Sequence, residues 1–146
     1  MNLNWGKEYL QWRISTKLQE MGMKMMALKQ ENTPLFDIWN KSQPFLGKTI
    51  GLMLGDLYYL ETMLLKIGEA QIPANKETLL MVTRLWMMRV YLGDEFVDGS
   101  VHGVIEGVMM TLSEKLANEA LKILDCIGAD DDVIGSPISD REGKGT

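Results

Sequence analysis

The sequence predicts an all-α fold, an up-and-down-type bundle of four main helices, on three observations. Apolar residues recur at steps of three and four through most of the chain, the spacing that lines one face of a helix. No stretch alternates convincingly at period two, as a half-buried strand would. Proline, glycine and small polar residues fall between the periodic segments, where helices start and stop.

The first element follows from Leu10, Ile14, Leu18, Met21, Met25 and Leu28, which place an amphipathic helix over residues 6–30 with a methionine-rich core face. Thr33 and Pro34 then give a helix start, with Thr33 as N-cap, Pro34 in the first turn and Asp37 favourable to the helix dipole. Pro44 must kink or divide the helix begun there, because it lacks a backbone donor and clashes with the preceding turn. Beyond it, Ile50, Met53, Leu57, Leu60, Leu64 and Ile67 define the second long helix, ending near Gly68. Leu79, Val82, Trp86 and Val90 mark the third. Residues 93–99 form a short acidic turn around Phe96. Ser100 is the expected N-cap of the fourth helix, which carries Ile105, Met109, Leu112, Leu116, Ala120, Ile123 and Ile127 along one face. These elements make a single domain over residues 1–138, with a Gly-rich charged tail at 139–146.

Two glycine rows stand out. Gly47, Gly51 and Gly55 lie four apart on the second long helix, and Gly99, Gly103 and Gly107 repeat the spacing on the fourth. Interior glycine costs a helix roughly 0.5 to 1 kcal/mol relative to alanine, so six suggest close approach to the backbone. The first expectation is close helix packing inside the bundle, with Gly51→Leu damaging folding or assembly; a groove for a partner helix or an acyl chain is the functional alternative. The twelve methionines mostly fill irregular core gaps, with Met23 and Met26 off the apolar face of their helix and the better surface candidates.

A chain of 146 residues is one domain in size and can bury roughly 70% of its unfolded surface. Its formal charge of −5 argues against nucleic acid, and the lysines and arginine near the start, Lys7, Arg13, Lys17, Lys24 and Lys29, read as the solvated side of a helix. The longest uncharged apolar stretch, residues 49–55, falls far short of the ~20 residues of a membrane span, and no secretory signal opens the chain. The lone Cys126 cannot form an intrachain disulfide, which suits a soluble intracellular setting.

Catalytic motifs are absent. Gly47, Lys48 and Thr49 end like a phosphate loop, but Ser42 stands where its first glycine belongs. His102 is the only histidine, and its nearness to Ser100 in sequence is no evidence for a triad. One His and one Cys cannot make a zinc set, and Asp130, Asp131 and Asp132 lack the alternating ligands of a calcium loop, so no metal is expected. Glu61, Glu69, Glu106, Glu114 and Glu119 supply carboxylates without a motif that marks one as a base.

The order of residues near both ends adds a resemblance. Leu124 and Asp125 end a helix, Asp132 closes an acidic turn, and Val133, Ile134, Gly135, Ser136, Pro137 and Ile138 follow. Near the start, Leu10-Gln-Trp-Arg-Ile-Ser-Thr-Lys-Leu-Gln19 precedes Phe36-Asp-Ile-Trp-Asn40. Both blocks resemble the C-terminal helical domain of the peroxisomal acyl-CoA oxidases, a likeness spread over residues from about 8 to 140. The resemblance implies a non-catalytic, dimer-supporting domain of an FAD-dependent oxidase of fatty acid β-oxidation, which turns acyl-CoA and O2 into trans-2-enoyl-CoA and H2O2. It implies no flavin for this chain alone, because the base and most flavin contacts belong to preceding domains of that family, so no catalytic residue carries over and the cofactor-binding residues stay open. Its partner would be the remainder of the oxidase or another protein, in a homodimer, and its compartment the peroxisome. The chain ends in Gly-Lys-Gly-Thr in place of a Ser-Lys-Leu-like address. The rival expectation is a stand-alone helical adaptor or assembly subunit with an oxidase-derived fold and no catalysis.

Overall fold

The computed structural model describes residues 2–117 and 119–120. They are helical throughout their ordered elements, with no strand among them, so the all-α class holds. The elements are α1 (Leu3–Gln30), α2 (Leu35–Ser42), α3 (Lys48–Glu69), α4 (Pro73–Leu92) and α5 (Gly99–Ala117), with a π-helical turn, Gln43–Gly47, joining α2 to α3. The four long helices α1, α3, α4 and α5 are the four that periodicity marks. By its contacts the chain divides into two compact units, Met1–Leu79 and Leu80–Thr146. The tail at 139–146, the acidic turn at 130–132 and the C-terminal block of the resemblance lie outside the described residues.

In the first unit, α1 packs on α3, on α2 and on the π turn. Its core joins Leu3, Tyr9, Leu10 and Ile14 of α1 to Ile38 of α2 and to Ile50, Leu60 and Ile67 of α3, with Leu60 at 0% exposure. Burying such side chains contributes roughly 1.5 to 3 kcal/mol each, and this cluster holds the unit together. Lys7 and Glu61 add a 2.7 Å ion pair between α1 and α3. The inward face of α3 is the expected one, with Met53, Leu57 and Leu64 half-buried beside its three buried members. On α1 the expectation fails beyond Ile14: no residue past it is buried, and Leu18 is 53% exposed. An apolar stripe marks the side a helix can bury, and α1 outruns the elements that cover it.

The helix ends depart from expectation by one to three residues, and α1 begins at Leu3 where residue 6 was expected. At the start of α1 the side-chain oxygen of Asn2 accepts from the Asn4 N–H at 3.0 Å. At its end Asn32 adopts φ 58°, the Asn32 N–H reaches the Lys29 carbonyl at 3.0 Å and the Thr33 N–H reaches that of Leu28 at 3.1 Å. This paired closure satisfies two orphan carbonyls and commits Thr33 to α1. Thr33 is therefore not the N-cap of α2; Pro34 takes that position, with no side-chain cap bond.

Pro44 neither stops the helix nor leaves it regular. The missing N–H at Pro44 is accommodated by widening one turn, so that the Lys48 N–H reaches back five residues to the Gln43 carbonyl. Beside it, buried Ser42 donates from Oγ to the Ile38 carbonyl at 2.8 Å, a back-bond that favours bending.

In the second unit, Thr83, Met87 and Met88 are the buried residues of α4, one position round the helix from the expected Val82, Trp86 and Val90, which are half-buried. The turn after α4 is closed by the Val97 N–H on the Asp94 carbonyl at 3.2 Å. The cap of α5 is Asp98 and not Ser100: the Asp98 carboxylate accepts from the Ser100 N–H at 2.8 Å. Aspartate one residue before the first helical position reaches that donor, which Ser100, already inside the helix, cannot. Ile105, Met109, Leu112 and Leu116 share the half-buried side of α5, and none is fully buried.

Candidate interaction surface

The residues that could carry chemistry are dispersed. Glu61 is tied to Lys7, and Glu69 to Lys66 at 2.9 Å, both on exposed helix surface; Glu106 and Glu114 are exposed as well. A base that removes a proton from carbon needs a site shielded from water. None of these four has one among the described residues. His102 is half-buried on α5, and the neighbouring Ser100 engages Asp98. Lys48 and Thr49 sit at the start of α3, where the Thr49 hydroxyl donates to the Phe45 carbonyl at 2.7 Å, so the segment is helix and not a phosphate loop. No cluster of three metal-ligating side chains occurs among the described residues, and none of their helices is long and apolar enough to cross a membrane. Cys126 and Asp130 to Asp132 lie outside them.

Three aromatic residues near the start of the chain lie close to one another. On α1 they run along the helix itself: Trp5 stacks on Tyr9 at 5.3 Å, Tyr9 meets Trp12 at 6.1 Å, and the guanidinium of buried Arg13 lies 5.8 Å from the Trp12 ring. Arg13 is the unexpected member, because its place among the early cations reads as solvated surface and it is buried on the face of Leu10 and Ile14. Its apolar stem suits that face, and the Trp12 ring beside it favours the cation.

What the helices do present is apolar surface. On α2, Ile38 and Ser42 are buried, and Leu35, Phe36 and Trp39 are exposed. Phe45 of the π turn is exposed too, with the Lys24 ammonium 5.9 Å from its ring.

The glycine rows belong to this exposed surface. A Cβ added at Gly51, Gly55, Gly99, Gly103 or Gly107 would meet no atom within 4 Å, and one at Gly47 would touch only the Gln43 side chain, at 3.6 Å. The expected close packing at these glycines is thus absent among the described residues. Gly51 and Gly55 lie opposite the Ile50, Leu60 and Ile67 side of α3, flanked by exposed Leu52, Tyr58 and Tyr59. On α5 the glycines neighbour exposed Val104, Val108 and Met110.

Comparison with known proteins supplies a family. The family model described as acyl-CoA oxidase matches residues 3–144. The chain is similar to the protein named peroxisomal acyl-coenzyme A oxidase 3 of Homo sapiens, 22% identical over 142 residues that cover 91% of this chain and 20% of that protein. It spans about a fifth of the length of that curated relative. No solved structure matches.

Proposed function

Because the chain belongs to the acyl-CoA oxidase family, we propose that it serves as the C-terminal helical domain of an FAD-dependent acyl-CoA oxidase, acting in fatty acid breakdown as structural support with no catalysis of its own. The observation that carries the reading is the span of the match: nearly the whole chain is family sequence, yet it corresponds to a fifth of the relative. The reaction that it would support desaturates an acyl-CoA to the trans-2-enoyl-CoA and passes the electrons through flavin to oxygen, giving hydrogen peroxide. The helical domain would hold the catalytic portion and a second subunit in place, through apolar surface of the kind exposed on α2, α3 and α5. Peroxisomal residence is part of the same reading, supported by the name of the relative.

The test is a purification of the 146-residue chain with flavin supplied during expression and refolding. A colourless helical protein that forms no enoyl-CoA from fatty acyl-CoA thioesters is the expected result. Stoichiometric bound flavin, or turnover by the chain unaided, would overturn the proposal.

A further inference from the structure

The methionines are a feature of the sequence that this role leaves unused, and the structure sorts them by access. Met87 and Met88 are 0% and 5% exposed, whereas Met23, Met26 and Met110 stand at 65%, 66% and 67%. Met23 and Met26 are three apart on α1, hence neighbours on one side of the helix. They lie in the part of α1 that buries no residue, and a Cβ built on adjacent Gly22 would meet nothing within 4 Å.

We propose that Met23 and Met26 form a paired site of reversible sulfoxidation by hydrogen peroxide. Each thioether sulfur attacks one peroxide oxygen, the O–O bond breaks as the S–O bond forms, and the proton of the transferred hydroxyl leaves with the departing hydroxide as water. Sulfur is oxidised by two electrons and the peroxide is reduced by two. Methionine sulfoxide reductases reverse the change with two electrons from thiols. The products are two polar sulfoxides on the exposed side of α1. Neither side chain is in the core, so the helices persist, and the surface changes character without unfolding. Met110, equally open on α5, is a third reactive thioether and lacks the paired arrangement.

The test treats the 146-residue chain with dilute hydrogen peroxide and follows each methionine by proteolysis and mass spectrometry. Met23 and Met26 should gain oxygen on the order of tenfold faster than Met87 and Met88, because sulfoxidation follows exposure. Unfolding in urea should erase the difference. Helicity by circular dichroism should survive oxidation of the pair, and the two sulfoxide reductases with a thiol should restore the native mass. Met23→Leu combined with Met26→Leu serves as the folded control and should take up two fewer oxygens. Equal rates at Met23, Met26, Met87 and Met88 in the folded chain, or loss of helicity as the pair oxidises, would overturn the proposal.

Discussion

At the scale of single residues, one apolar stripe can hold both a core residue and a bystander. Leu60 and Leu18 both sit on predicted core faces, and only Leu60 is enclosed. Leu60→Ala should therefore cost about 2 to 5 kcal/mol, the range for truncating a buried leucine, while Leu18→Ala should stay within about 0.5 kcal/mol. Urea titrations of the two variants check both values. Two aspartates give a second contrast. Hydrogen bonds from Ser100 hold the Asp98 carboxyl below its ordinary 3.8, and partial burial holds that of Asp56 above it. The lowered group stabilises the fold above 3.8 and loses that contribution as pH falls through its folded value. The raised group does the reverse: its ionised form costs stability at neutral pH, and the cost builds as pH climbs from 3.8 through the folded value. Asp98→Asn should flatten the stability profile on the acid side of 3.8, and Asp56→Asn should flatten it on the other side and raise stability at neutrality. Denaturant melts across that pH range read both signs.

At the scale of elements, the long helices were legible because a 3.6-residue repeat sustained over twenty residues has no competing explanation. Their ends were less so. Thr33 and Ser100 are both good cap residues by type, but Asn32 can hold a positive φ and draws Thr33 into closing α1, and Asp98 reaches the first free donor of α5 before Ser100 can. Residue type proposes a cap, and the hydrogen bonds already committed nearby decide it. The glycine rows show the same limit in another form. Their spacing says that the backbone is bare and is silent on whether anything approaches it. With open space at Gly51 and Gly55, the damage expected from a side chain there gives way to the ordinary benefit of removing glycine from a helix. Gly51→Ala and Gly55→Ala should each stabilise the isolated chain by up to about 1 kcal/mol, read as a raised urea midpoint at unchanged m-value. A loss of stability in both would mean that the α3 backbone is contacted after all.

At the scale of the whole molecule, what the sequence could not disclose is which apolar faces are covered. Hydrophobic periodicity records what a helix is able to bury, and it reads the same whether the cover comes from this chain or from elsewhere. The candidate surface was half legible for that reason: the bare glycines and surface methionines were visible as oddities, whereas the exposure of Leu35, Phe36 and Trp39 was hidden in a run of apolar residues that reads as core. Leu35, Phe36, Trp39 and Phe45 stand exposed close in sequence to buried Ile38. Exposed side chains of this kind add nothing to the fold, yet they attract any apolar solute. The folded chain should therefore enhance the fluorescence of an apolar dye under conditions where its unfolding is still cooperative. Replacing Leu35, Phe36 and Trp39 together by serine should remove much of that signal while each change shifts stability by no more than about 0.5 kcal/mol. A variant that melts far earlier would show these three side chains to be part of the core, and one that binds dye as the parent does would place the sticky surface on α3 or α5 instead.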